Sequence, residues 1–110
     1  ALERILKNYQ TKGLKVLAAT EMEFHLIDES KNSILPPINP ISKKRLSTPD
    51  ILGISELDCF EDFFTDLQDS CEQMGIHAQS IISESGSGQF EVTLKHCEAF
   101  RNLFVKRVAG

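Results

Sequence analysis

The sequence has no tryptophan, one tyrosine and three cysteines in 110 residues. It also has no apolar run approaching the roughly 20 residues that a membrane-spanning helix needs. No basic leader followed by an apolar segment opens the chain, so we expect no secretory signal peptide. These absences favour a cytoplasmic protein without a membrane partner.

The cysteines form an odd set without the Cys-x-x-Cys spacing of common zinc sites. Cys59 and Cys71 fall on one predicted helix, about 18 Å apart at about 1.5 Å per residue, so they cannot pair with each other. The pair His96-Cys97 has no second pair that would complete four ligands. We therefore predict reduced thiols that pack in the core, as in a reducing compartment.

The net charge and the length argue against a nucleic-acid-binding protein and for a single domain. The net charge is −4, with 12 basic and 16 acidic residues, which argues against a nucleic-acid partner. A hydrophobic fraction of 41% over this length suits one domain with one core. Because the first residue is Ala1 and not Met, we expect a fragment of a longer protein, forming a single partial domain over residues 1–110.

The spacing of apolar residues predicts the order of helices and strands. We expect a helix over 2–12, a strand over 15–28, an irregular segment over 29–54, a helix over 56–74, strands over 76–84 and 89–95, and a helix over 97–109. The second helix carries an aromatic stripe of Phe60, Phe63 and Phe64 and ends at Gly75. Because Gly86-Ser87-Gly88 predicts a hairpin turn, the fold class is α+β, an antiparallel sheet covered by helices.

The irregular segment contains all four prolines of the chain and the basic triplet Lys43-Lys44-Arg45. A stretch this long without periodicity is unusual in a compact domain. A short run of like charges is most often a solvated loop. We predict a surface excursion and assign no site to it.

The stretch from Thr20 to Ile27 alternates strictly between polar and apolar residues, which predicts a half-buried strand. One face of this strand carries Met22, Phe24 and Leu26, and the other carries Glu21, Glu23 and His25. Two carboxylates on one strand face lie about 6.6 Å apart, which suits two adjacent ions better than one. On spacing alone, however, an ordinary solvated strand face is the favoured interpretation.

A second acidic strand follows the glycine turn. Its apolar residues Phe90, Val92 and Leu94 alternate with Gln89, Glu91 and Thr93, and Glu84 lies just across the turn. If both strands share a sheet, Glu21, Glu23, Glu84 and Glu91 fall on one surface. Carboxylates about 4 Å apart repel by about 4 kcal/mol at an effective dielectric of about 20, so this cluster predicts divalent cations or protons. We leave His25 out of the site, and for Gln89 both a carboxylate-orienting role and a turn-forming role stay open.

These two strands also carry a resemblance to a known family. Glu-x-Glu-Phe followed downstream by Glu-x-Gly-x-Gly-Gln-x-Glu resembles the metal-binding strands of the glutamine synthetase family. The segment Gln89-Phe90-Glu91-Val92 is most similar to the branch that includes γ-glutamylpolyamine synthetases. The resemblance runs from the first helix to Gly110 and implies a partial catalytic domain without its N-terminal domain and later segments. By the same resemblance, Glu23, Glu84 and Glu91 hold one divalent ion and Glu21 contributes to a second. Carboxylate oxygens suit Mg²⁺ or Mn²⁺ better than zinc.

The resemblance implies an ATP-dependent ligase as the parent protein. With ATP as co-substrate, the γ-carboxylate of glutamate is activated as an acyl phosphate and captured by ammonia or an amine. The parent is expected to be a homo-oligomer, and the fragment alone is expected to be inactive. Two alternatives remain: a non-catalytic module whose acidic face binds Ca²⁺ or a basic partner, and a degenerate structural relative whose acids are solvated.

Overall fold

The computed structural model describes residues 1–29 and 33–99. Its helices are α1 (Leu2–Gln10), α2 (Ser55–Cys59) and α3 (Glu61–Gln73), and its strands are β1 (Leu17–Ala18), β2 (Glu21–His25), β3 (Ala78–Ser83), β4 (Gln89–Leu94) and β5 (Cys97–Glu98). The pairs β1–β5, β2–β4 and β3–β4 are all antiparallel. This arrangement confirms the predicted α+β class. Within the described ranges, no helix has both the length and the apolar character needed to cross a bilayer.

The chain divides into two compact units. One unit is Ala1–Thr20 with the segment that begins at Lys95, and the other is Glu21–Leu94. In the first unit, β1 pairs with β5 through Leu17↔Glu98 and Ala18↔Cys97. The helix predicted over 97–109 is therefore wrong at its start, because Cys97–Glu98 is a strand; from residue 100 onward the prediction lies outside the described residues.

The second unit contains a three-stranded sheet in the order β2-β4-β3, so β4 is the central strand. The single strand predicted over 15–28 is in fact β1 and β2. It is interrupted because its two halves pair with different partners, β5 and β4. The predicted hairpin is confirmed: β3 and β4 pair on either side of the glycine turn, and the Gln89 N–H donates to the Gly86 carbonyl at 2.9 Å.

Helix α3 covers one side of this sheet with aromatic rings, as its stripe predicted. Phe90 of β4 is completely buried and makes edge-on contacts with Phe60 and Phe64, with ring centroids 6.0 and 4.9 Å apart. Burying each ring contributes about 1.5 to 3 kcal/mol. Met22 was expected in this core but is 56% exposed, because the aromatic cluster covers Phe24 of β2 and does not extend to Met22.

The helix predicted over 56–74 is two helices that meet at Phe60. Phe60 leaves the helical region with φ −112° and ψ 26°, so Cys59 and Cys71 lie on different helices. All three cysteines are unpaired, as predicted. Gly75, with φ +70°, follows the end of α3 as expected, and the next N–H, from Ile76, donates back to the Cys71 carbonyl at 2.8 Å.

The described part of the irregular segment is held by two isolated antiparallel bridges, Asp28↔Leu35 and Ile38↔Arg45. Arg45 was predicted to be solvated with its basic neighbours. Instead its partly buried guanidinium donates to the Asp28 carboxylate at 2.7 Å and also to the Pro36 carbonyl. An arginine with two oxygen acceptors closes a loop better than a solvated one, so the described part of this segment is an ordered excursion.

Candidate functional site

The pairing of β2 with β4 brings the two acidic strands side by side. Glu23 lies directly opposite Glu91, and Glu21 lies opposite Thr93. Because side chains alternate along a strand, Glu21, Glu23 and Glu91 all face away from the side that buries Phe90. The alternation of apolar and polar residues in the two strands predicted this common face.

Glu84 joins the same side of the sheet from just beyond β3. Its N–H donates to the Gln89 carbonyl at 2.9 Å, which continues the β3–β4 ladder by one residue. The preceding residue, Ser83, is completely buried on the core side, so Glu84 points the other way. We call the side that carries Glu21, Glu23, Glu84 and Glu91 the acidic face.

The carboxylates of the acidic face differ in their access to water. Glu91, on the central strand, is only 9% exposed, whereas Glu21 and Glu23 are exposed and Glu84 is half-buried. Like charges directly opposite each other destabilise a strand pair. In residues 1–29 and 33–99, no lysine or arginine forms an ion pair with any of these carboxylates. Within these ranges, no basic side chain therefore offsets the repulsion between Glu23 and Glu91.

Gln89 connects the glycine turn to the acidic face. Its Oε1 accepts the Gly86 N–H at 2.8 Å, and its Nε2 donates to Glu23 Oε2 at 3.0 Å. Of the two roles left open by the sequence, Gln89 therefore performs both. A side chain at Gly86 would collide with this arrangement, because a Cβ there would lie 2.8 Å from Gln89 Oε1 and 3.0 Å from His25 Nε2.

Two further hydrogen bonds act on the remaining carboxylates. The Thr93 hydroxyl donates to Glu91 Oε1 at 3.2 Å, and the Ser85 N–H donates to Glu84 Oε2 at 3.2 Å. Thr93 lies on the same side of β4 as Glu91, and Ser85 directly follows Glu84. They fix one oxygen of each carboxylate and leave the other oxygen available.

The strand register brings two carboxylates close enough to share a divalent cation, but their side chains are not oriented toward one. Directly opposed residues of an antiparallel pair have Cβ atoms about 4.5 to 5.5 Å apart, which lets Glu23 and Glu91 reach one ion. Carboxylate oxygens are the ligands that Mg²⁺ and Mn²⁺ prefer. As the side chains stand, however, the described residues contain no group of three or more His, Cys, Asp or Glu placed to hold a metal. The metal role of the acidic face thus stays a prediction that needs rotation of glutamate side chains among their rotamers.

Sequence reasoning missed Glu56, a carboxylate on α2 that is only 5% exposed. Burial raises its pKa because desolvation disfavours the charged form, and the nearby Asp50 carboxylate raises the pKa further. Hydrogen bonds from the backbone N–H of Gly88, the Ser83 hydroxyl and the Asp50 N–H lower the pKa in part. A signal for this burial was present in the sequence, because Glu56 stands four residues before Phe60 on the apolar stripe.

Comparison with known proteins supports one family. The sequence matches the family model described as "Glutamine synthetase, catalytic domain" over residues 1–103. It is 30% identical over 102 residues to "Type-1 glutamine synthetase 1" of Dictyostelium discoideum, covering 89% of this chain and 20% of that protein. It is 27% identical over 100 residues to the gamma-glutamylputrescine synthetase of Escherichia coli (strain K12), covering 88% of this chain and 21% of that protein. The chain spans about a fifth of the length of these relatives. Because the family model covers nearly all of its residues, the chain belongs to the glutamine synthetase family.

Proposed function

We propose that this chain supplies the metal-binding strands of an ATP-dependent ligase that joins the γ-carboxylate of glutamate to ammonia or an amine. Membership of the glutamine synthetase family supports the reaction class. Since the chain spans about a fifth of its relatives, we also propose that residues 1–110 are one part of a larger catalytic domain. The remaining parts of the nucleotide and substrate sites then lie elsewhere in the parent protein.

The observation that carries this proposal is the cross-strand pair of Glu23 and Glu91. In the proposed site, Glu23, Glu84 and Glu91 hold one divalent cation, and Glu21 contributes to a second. Bound Mg²⁺ or Mn²⁺ supplies the positive charge that phosphoryl transfer requires. In the reaction, the γ-phosphoryl group passes from ATP to the glutamate carboxylate with release of ADP. The amine nitrogen then attacks the acyl carbon, phosphate leaves, and the nitrogen loses one proton to give the amide.

Two carboxylates of the proposed site are hydrogen-bonded to neighbouring side chains. Gln89 holds Glu23 by one oxygen, and Thr93 holds Glu91 by one oxygen. Each hydrogen bond restrains a long side chain in its present rotamer, so rotation of the glutamate toward a cation has to break the bond or move its donor as well. The glycine turn keeps side chains away from the edge of the acidic face where Glu84 lies.

We further propose a cytoplasmic parent enzyme that is a homo-oligomer. The unpaired state of Cys59, Cys71 and Cys97 supports a reducing compartment. Large exposed apolar side chains, among them Ile34, Ile41 and Ile54, support burial against further protein surface.

Calorimetric titration of the full-length parent with Mn²⁺ tests the metal site. We expect Glu91→Gln to lower the Mn²⁺ affinity at least about tenfold, equivalent to about 1.4 kcal/mol. Glu72→Gln serves as the matched control, because Glu72 is exposed on α3 away from the acidic face and should leave the affinity unchanged.

Three outcomes would contradict the proposal. Equal Mn²⁺ affinity in the wild type and in Glu91→Gln would remove the acidic face from the metal site. Tight Ca²⁺ binding that Mg²⁺ does not displace would favour a non-catalytic binding module. A parent without any divalent-cation binding would indicate a degenerate structural relative.

A further inference from the structure

A tight turn just before α2 displays three large apolar side chains to solvent. Ile51, Leu52 and Ile54 are all exposed, the last two at 71%. Single exposed apolar residues are common on soluble proteins, but a cluster of large ones marks a contact with another protein surface. We call these three residues the apolar turn.

Hydrogen bonds hold the apolar turn in one conformation. The Leu52 N–H donates at 2.9 Å to the carbonyl of Ser83, the last residue of β3, and the Gly53 N–H donates to the Asp50 carbonyl at 2.8 Å. The Asp50 carboxylate also accepts the Ser55 N–H at 3.2 Å. A surface that is already ordered loses little conformational entropy on binding, so the apolar turn can bind a partner without first ordering its backbone.

Leu52 has a left-handed backbone conformation, with φ +55°. Glycine adopts this conformation without steric cost, whereas a leucine is strained in it. Position 52 therefore combines backbone strain with an exposed apolar side chain, neither of which stabilises the folded chain. Strained residues of this kind cluster at functional surfaces. Contact with a partner would bury the leucine side chain and offset this cost.

The charged residues that follow the apolar turn all have one sign. Residues 46–94 contain ten acidic residues and no lysine or arginine. Asp58, Glu61 and Asp62 are exposed on α2 and at the start of α3, and in residues 1–29 and 33–99 none of the three forms an ion pair. Two apolar turns facing each other across a twofold axis would bring these acids together, which disfavours a symmetric contact. The partner surface should therefore be apolar with basic residues at its border.

The compact unit that contains α1 and β1 has a surface with these properties. It carries a cavity of about 290 Å³, and a cavity of about 150 Å³ is already large enough to hold benzene. The exposed ion pair of Lys15 and Glu98 lies at the edge of this cavity. In residues 1–20 and 95–99 of this unit, five basic residues outnumber two acidic ones. The apolar lining residues of the cavity are Leu6, Leu14, Val16 and Ala99.

We propose that the apolar turn of one copy of the protein docks into the cavity beside α1 of a second copy. The aliphatic side chains enter the cavity, and the acidic residues that follow the turn approach its basic border. Because the two surfaces differ, the contact is head-to-tail, and each copy can bind one further copy on either side. This inference rests on the proposed homo-oligomer and names the two surfaces that form it.

Photo-crosslinking in the full-length parent tests this contact directly. Copies that carry benzoylphenylalanine in place of Leu52 are mixed with wild-type copies labelled with heavy nitrogen, allowed to exchange, and irradiated. We expect crosslinks from position 52 to labelled peptides that contain residues 6–16. The same crosslinker in place of Glu72 should not reach those peptides, because Glu72 is exposed on α3 outside the apolar turn.

Leu52→Gly measures the strength of the contact in the full-length parent without straining the turn. Because glycine relieves the strain at position 52, the thermal midpoint of the separate copies should hold or rise, while the dissociation constant in sedimentation rises about tenfold or more. Leu14→Ser in the cavity should weaken association similarly, and the double variant should lose little more than either single variant. Met74→Ala is the control, because Met74 is 66% exposed outside the turn.

The outcomes separate this contact from the homo-oligomer itself. Crosslinks confined to the same copy, or to a surface of the second copy outside the cavity, overturn the contact and leave the homo-oligomer standing. A folded Leu52→Gly protein with the wild-type dissociation constant overturns the contact equally. If the full-length parent sediments as a monomer, both the homo-oligomer and the contact fail.

Discussion

Glu91 is nearly buried on the central strand, with Glu23 directly opposite it. We predict that Glu91→Ala or Glu23→Ala abolishes ligase activity of the parent while the metal-free protein stays folded. Because either change also removes repulsion between like charges, the thermal midpoint in EDTA should hold or rise. Circular dichroism melting and an activity assay check this, with Glu72→Ala on α3 as the control for removal of one negative charge.

A large loss of stability in those metal-free variants would contradict the prediction that these carboxylates serve an ion. If Glu91→Ala cost several kcal/mol without metal, Glu91 would be a structural residue. Its partial burial and its bond from Thr93 would then serve the sheet and not an ion.

Glu56 introduces a pH dependence into the stability of the protein. Its pKa is raised in the folded state, so the folded protein holds its proton more tightly than the unfolded chain does. This contribution to stability is fully present below the unfolded pKa and is lost as the pH rises through the higher folded pKa. We predict that the thermal midpoint of the wild type, relative to Glu56→Gln, falls as the pH rises through this window.

Melting curves of both proteins across mildly acidic to neutral pH measure this difference. Glu72→Gln, on the exposed side of α3, is the control for the loss of one carboxylate. A constant difference between the wild type and Glu56→Gln at all pH values would show that burial does not shift the protonation of Glu56.

At the scale of secondary-structure elements, two glycines share a left-handed backbone conformation but differ in how closely other atoms surround them. Replacing each by alanine therefore measures the cost of backbone strain alone and the cost of strain plus steric overlap. Gly75 and Gly88 have φ +70° and +75°, but a Cβ at Gly75 meets nothing within 4 Å, whereas at Gly88 it lies 2.6 Å from Pro37 Cδ. We predict that Gly75→Ala costs about 1 to 2 kcal/mol for the left-handed conformation. Gly88→Ala should cost about 1 to 3 kcal/mol more, because it overpacks the contact with Pro37.

The order of thermal midpoints should be wild type, Gly75→Ala and then Gly88→Ala. Adding Pro37→Ala to Gly88→Ala removes the ring atoms and should recover part of the difference. Equal midpoints for the two single variants would show that Pro37 moves aside without cost.

The sequence predicted well those elements in which apolar residues repeat at a regular spacing over many residues. The alternation around Glu23 and Glu91 predicted the acidic face, and the aromatic stripe predicted α3. The break at Phe60 could not be predicted, because the apolar phase continues across it without glycine or proline. Strand β5 is two residues long, which is too short to show any period.

For the acidic face, the sequence predicted which residues share one side of the sheet, but not how their side chains are oriented or bonded. Phase along each strand determines which side a residue faces, but it does not determine which rotamer a glutamate adopts or which donor it accepts. The bonds from Gln89 to Glu23 and from Ser83 to Glu56 join residues far apart in sequence. The period of a single segment carries no information about such partners.

At the scale of the whole molecule, the isolated 110 residues expose much apolar surface. Ile34 is 80% exposed, and Ile41, Leu52 and Ile54 are exposed to a similar degree. We predict that the purified fragment self-associates, binds Mn²⁺ only weakly and shows no ATP turnover, because an incomplete set of ligands leaves more water on the ion. Sedimentation, calorimetry and an ATPase assay check these properties.

The double variant Ile41→Ser, Ile54→Ser tests the cause of association. It should sediment as a smaller species at the same concentration, while Glu61→Gln on α3 should not. Glutamate-dependent ATP hydrolysis by the fragment would contradict the prediction of inactivity.

The position of β4 between β2 and β3 also determines when the acidic face forms during folding. β3 and β4 are joined by a short turn and can pair early, but the bond from Gln89 to Glu23 spans 66 residues. Closing so long a loop costs chain entropy before the contact is gained, so β2 should dock late. The hairpin that carries Glu84 and Glu91 would then form before β2 brings Glu23 beside it. A divalent ion that binds only the completed set would slow the undocking of β2 and leave the rate of hairpin formation unchanged.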